Sequence, residues 1–181
     1  MFNVGDHIVY PMHGAGKIVA MEEKTIYDQK QSYYIIEMPG KVQVMVPIEK
    51  AEKLGVRNVI DKQAANEVMN VLEKDNTEVA MNWNKRYRDN MEKMKSGDIY
   101  EVAGIVRNLS FKQKDKGLST GEKKMLLNAK QILVSELVFA ENKEKEEIEA
   151  LVDNKINESY ELHVASLPSE EKTVHKLIKL D

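Results

Sequence analysis

The sequence predicts an α+β protein, with a small N-terminal β-barrel followed by a C-terminal all-α helical bundle. Three observations carry this. Up to about residue 55 the chain is a series of short runs rich in Val, Ile and Tyr, broken by turn residues. From Asn58 onward apolar residues recur at three- and four-residue steps, the period of a helix. The charge also divides: residues 83–130 hold twelve basic and six acidic side chains, whereas residues 131–181 hold six and twelve, within a chain of net charge −3.

The β-segments are expected at His7–Tyr10, Gly16–Ile26, Ser32–Met38 and Lys41–Val46. Pro39-Gly40 makes a tight turn that pairs the third with the fourth, and Pro47, lacking an N–H, ends the ladder. So short a set of closely connected strands suggests an SH3- or Tudor-like barrel, usually a binding module. The first helical stripe is Ile60, Ala64, Val68, Val71 and Leu72. The second is Trp83, Tyr87, Met91 and Met94, stopped near Ser96-Gly97. Ile99, Val102, Ala103, Val106 and Leu109 form the third, ending before Gly117. Ser119 and Glu122 are spaced as a capping box for the fourth, whose core face is Met125, Leu126, Ala129, Ile132, Leu133 and Leu137, with Phe139 a further candidate. Ile148, Leu151, Val152 and Ile156 suggest another helix with an acidic outer face, and Ser169 an N-cap for a short last one carrying Val174, Leu177 and Ile178. The expected division is 1–55, 56–142 and an acidic helical extension over 143–181.

Composition narrows the function. Without cysteine there is no disulfide or thiolate metal site. Phe2–Asp6 lacks the basic-then-apolar pattern of a signal peptide, and no apolar run nears the roughly 18–20 residues of a bilayer span. A cytoplasmic protein with no membrane partner is expected. His13-Gly14-Ala15-Gly16-Lys17 fails the phosphate-loop template, since Lys17 leads into Ile18-Val19 and not into a helix. The four histidines show no ligand spacing, and no serine sits in a nucleophile elbow. The expectation is therefore no enzyme, no metal, no cofactor and no small-molecule substrate.

The basic block is the electrostatic footprint of a surface that meets phosphates, although a solvated helical face has the same composition. Within it lies Trp83, the one tryptophan, in Asn82-Trp83-Asn84-Lys85-Arg86-Tyr87-Arg88. Spacing alone lets it begin a core stripe. Its place in a cation-rich first turn lets it instead stand exposed and wedge against bases. Lys123 and Lys124, in the first turns of the Ser119-capped helix, are either ordinary solvent-facing lysines or part of an anion site, with Lys112, Lys114 and Lys116 extending the same positive surface.

These residues resemble the CarD family of bacterial transcription regulators, whose polymerase-binding module also occurs in the transcription-repair coupling factor. The similarity runs from Phe2-Asn3-Val4-Gly5-Asp6-His7-Ile8-Val9-Tyr10-Pro11-Met12-His13-Gly14-Ala15-Gly16 through Val46-Pro47 and Gly55-Val56-Arg57. It is strongest at Trp83–Tyr87, Ser96–Asp98 and Gly117–Leu126, and continues through Ala129–Leu137. The resemblance implies a cytoplasmic, nucleoid-associated regulator whose Tudor-like domain docks on the RNA polymerase β subunit through Lys24, Thr25, Ile26 and Met45. Met45 departs from the pattern, because relatives carry arginine there. It further implies promoter DNA as a partner, contacted without sequence-specific readout at the upstream edge of the bubble. There Trp83 is the minor-groove wedge and Lys85, Arg88 and Lys123 lie near phosphates; Arg86, in the same motif, is a further DNA-contact residue. The alternative is a protein-interaction adaptor with purely structural helices, which requires a buried Trp83.

Overall fold

The computed structural model describes residues 1–26, 28–74 and 82–167. An antiparallel five-stranded sheet is followed by five helices among these residues. The strands are β1 (His7–Tyr10), β2 (Gly14–Ile26), β3 (Gln29–Met38), β4 (Val42–Pro47) and β5 (Arg57–Asn58), ordered β4-β3-β2-β1-β5. Pro39-Gly40 forms the expected turn, Gly40 taking a left-handed φ of 80°. Along β3, Tyr34, Ile36 and Met38 alternate onto one face and bury against Ile8, Ile18, Val46, Ala51 and Val56.

The helices are α1 (Lys62–Glu73), α2 (Trp83–Ser96), α3 (Ile99–Asp115), α4 (Thr120–Glu141) and α5 (Lys145–Ser166). Each of α1–α4 starts on a side-chain cap, from Asp61, Asn82, Asp98 and Ser119. Gly97 ends α2 in the left-handed conformation that a Cβ disfavours. Both halves of the Ser119–Glu122 capping box are present. The apolar faces of α1, α3, α4 and α5 share one core, with Val68, Leu72, Val106, Leu133, Leu137, Ile148 and Val152 fully or almost fully buried.

The sheet runs past residue 55, because Arg57 and Asn58 pair with Val9 and Ile8 as β5. Helix α5 packs into the helical core through Ile148, Val152, Ile156 and Tyr160. The α1 stripe packs inward at Ile60, Val68, Val71 and Leu72 as expected, but Ala65 is fully buried where Ala64 is only half-buried. The expected helix from Ser169 lies outside the described residues.

Sheet and helices meet through close polar contacts. Gly14, at φ +93°, lets β2 approach α4 so closely that a Cβ would lie 2.5 Å from the Ser135 hydroxyl. That hydroxyl accepts the Ala15 N–H at 2.9 Å. The ring of His7 stacks on Phe139 with centroids 4.2 Å apart. Burial lowers the His7 pKa, the nearby charge of Lys17 lowers it further and that of Asp6 opposes, so the ring packs neutral at pH 7. Arg57 spends all five N–H donors here: two on the carboxylate of Glu136 (2.6 and 2.9 Å), two on the Gly97 carbonyl and one on the Asn58 carbonyl. Glu136 is fully buried and also accepts the Ile60 N–H.

Candidate nucleic-acid interface

The starts of α2 and α4 converge, so two capped helix N-termini with their positive dipole ends lie near one another. Trp83 spans the gap. Its indole N–H donates to the Ser119 hydroxyl at 3.1 Å, and its ring stacks on Tyr87 with centroids 5.4 Å apart. The residue is still 43% exposed and does not belong to the helical core. Lys85, Arg88, Lys123 and Lys124 are exposed, and none forms an ion pair among the described residues.

Arg86 is different. Though it shares the motif, it turns inward and donates to Glu122 Oε1 from Nε (2.9 Å) and Nη2 (2.7 Å). Lys112, expected to extend the positive surface, also reaches in, to both oxygens of Glu122 at 2.7–2.8 Å. The physical reason is Glu122 itself. The capping box fixes this carboxylate at the base of α4 with 2% exposure, and a buried charge there demands compensation. Lys114 is likewise engaged, bonding Asn157 and lying over the Tyr160 ring.

Burial by itself would raise the Glu122 pKa, but hydrogen bonds from Lys112, Arg86 and Ser119 outweigh it and bring it down to about 2. A carboxyl depressed on folding contributes stability above its unfolded value and loses it as pH falls toward the folded one, here on the order of 3 kcal/mol in all. The advantage of the wild type over Glu122→Gln should therefore shrink by about half between pH 6 and pH 3. Urea unfolding of both proteins at the two pH values checks this; a constant difference would contradict it.

A second candidate surface lies on the sheet. Strand β1 covers β2 only over Gly14–Lys17, and β4 covers β3 only over Tyr33–Met38. Lys24, Thr25 and Ile26 thus belong to a two-stranded ribbon whose β2 edge has no strand neighbour among the described residues. Strand alternation puts Lys24 and Ile26 on the face that also carries Met45, and Thr25 on the other. Met45 is 47% exposed, whereas Lys24 forms a 3.2 Å ion pair with Glu22.

The residues missed from sequence are the inward-facing ones. Spacing marks Ser119 only as a cap, and Arg86 and Lys112 only as cations of the basic block. Glu136 carried a signal: a carboxylate inside the apolar run Ile132–Leu137 is expected to have a buried partner. Among the described residues there is no cluster of potential metal ligands, and no helix is long and apolar enough to cross a membrane.

Comparison with known proteins agrees over both parts of the chain. Residues 2–60 match the model of the CarD-like/TRCF RID domain, and residues 67–153 that of the CarD C-terminal domain. A Bacillus subtilis (strain 168) protein named "Putative transcription factor YdeB" is 44% identical over 138 residues, covering 76% of this chain and 90% of the relative. With both domains matched in order and a relative so similar over nearly its whole length, this chain belongs to the CarD family.

Proposed function

We propose that the protein regulates transcription initiation by docking on the RNA polymerase β subunit and stabilising the opened promoter. The observation that carries the DNA half is the half-exposed Trp83, seated where two helix N-termini meet and flanked by Lys85, Arg88 and Lys123. An indole that fits only unstacked DNA favours the open state, because unstacking costs a few kcal/mol per step. The flanking cations meet phosphates. Phosphates are the same at every base pair, so contact through these cations is independent of sequence. Few phosphate contacts give weak, salt-sensitive binding, and docking on polymerase supplies the local concentration that makes it sufficient. Arg86 has a structural task in this reading.

The polymerase half rests on the free β2 edge at Lys24–Ile26, which suits a strand added through main-chain hydrogen bonds. A fragment of residues 1–60, which keeps β5, should bind isolated β subunit; a folded fragment that fails to bind would sink this assignment. Met45→Arg should tighten binding if an acidic group lies opposite, and an unchanged affinity would mean that this contact is rearranged here. The DNA half is tested by promoter-complex lifetimes across a salt series. Replacing Lys85 and Arg88 with alanine should lower the protein's effect by similar factors on unrelated promoters and flatten its salt dependence. Selective loss on one promoter, with the salt slope unchanged, would mean base reading.

A further inference from the structure

We infer that Ser119 is a positioning residue for Trp83, holding the indole in its presented orientation through a buried charge network that runs back to Arg86 and Lys112. The inference rests on the reading of Trp83 as the group that meets DNA. A serine hydroxyl has one proton and two lone pairs. The Ser119 proton goes to Glu122 Oε2 at 3.1 Å, and its lone pairs accept the Glu122 backbone N–H at 3.3 Å and the Trp83 indole N–H at 3.1 Å. The hydroxyl is thus saturated, and its direction is set by Glu122. The Ser119 backbone N–H adds a second tie to the same Oε2 at 3.1 Å.

Glu122 is in turn immobilised by two cations from two other helices, Arg86 of α2 and Lys112 of α3. Arg86 lies one turn after Trp83 on α2 and so ties the first turn of that helix to the start of α4. Tyr87 closes the arrangement by stacking on the indole. An aromatic ring that is nearly half exposed would ordinarily sample several rotamers, and binding would have to freeze them. Here the N–H edge is tethered and one face is covered before any partner arrives, so that freezing cost falls on the folding of the domain. This also explains why a cation in the basic motif is turned inward: Arg86 acts on DNA contact through Trp83.

The test separates the tether from the helix cap. Glycine is nearly as good an N-cap as serine, so Ser119→Gly keeps α4 but removes the indole's acceptor, whereas Ser119→Thr keeps both. Because Trp83 is the one tryptophan, its fluorescence anisotropy decay reads the ring's motion directly. Ser119→Gly should melt close to the wild type, show faster indole motion, and shorten the open-complex lifetime with purified cognate polymerase by roughly three- to tenfold, the effect of one hydrogen bond. Ser119→Thr should restore both readouts. Unchanged indole motion, or a lifetime still at the wild-type value in Ser119→Gly, overturns the inference. If Trp83→Ala, measured alongside, shortens the lifetime while Ser119→Gly does not, the wedge stands and only the tether falls. If neither variant shortens it, both readings fall.

Discussion

Arg57→Ala is expected to destabilise the protein by about 3–5 kcal/mol, the cost typical of removing one partner of a buried ion pair. It would leave the Glu136 carboxylate, which has no exposure, with only the Ile60 N–H, and would strip the Gly97 carbonyl at the α2–α3 junction of two donors. The reciprocal Glu136→Ala should cost less, because the side chain of Arg57 is about a third exposed and its guanidinium can turn to water. Arg57→Lys keeps the charge but loses the fork geometry, so it should fall between wild type and Arg57→Ala. Urea unfolding of the three variants checks the order, and a loss below about 1 kcal/mol in Arg57→Ala would show that the contact is incidental. Because Arg57 lies on β5 while Glu136 lies on α4, the same substitution also loosens the sheet from the helices. The ribbon at Lys24–Ile26 and the indole of Trp83 would then no longer be held at one fixed separation.

Much of this architecture was legible in the sequence because it follows from period and punctuation. The strand runs, the Pro39-Gly40 turn, the Gly97 stop and the Ser119–Glu122 cap are local signals, and the structure places each at or near its expected residues. What escaped was non-local. Strand β5 is two residues long and carries no period of its own; only its pairing with Val9 and Ile8 makes it a strand. Ala64 and Ala65 are chemically alike, so the stripe's phase had to come from the packing of Val68 and Leu72. Neither composition nor motif tells which cation of a basic block a buried carboxylate will recruit. Arg86 and Lys112 were therefore indistinguishable in sequence from Lys85 and Lys123, and only the fold separates a pair that organises the site from a pair that faces outward.

Trp83→Ala is expected to remove most of the protein's effect on the promoter while leaving the fold nearly intact. A core aromatic truncated to alanine costs about 3–5 kcal/mol. Trp83 is 43% exposed, stacks on Tyr87 and makes one hydrogen bond, so its share of folding stability should be about 1–2 kcal/mol. Binding to polymerase should not change, because the docking edge proposed at Lys24–Ile26 lies on the sheet and not on the helices. Each 1.4 kcal/mol by which the indole prefers opened over closed DNA shifts that equilibrium about tenfold, so losing even one such increment is easily seen. Trp83→Phe keeps an apolar wedge without the tether to Ser119 and should retain part of the effect.

The most direct test is the dissociation lifetime of promoter complexes formed by purified cognate polymerase after challenge with a competitor, compared without the protein, with the wild type and with Trp83→Ala. The account predicts that the wild type lengthens the lifetime and that Trp83→Ala, bound to polymerase with equal affinity, returns it nearly to the value without the protein. A Trp83→Ala variant that lengthens the lifetime as much as the wild type, or a wild type that leaves it unchanged while bound, would contradict the claim that the exposed indole stabilises opened DNA.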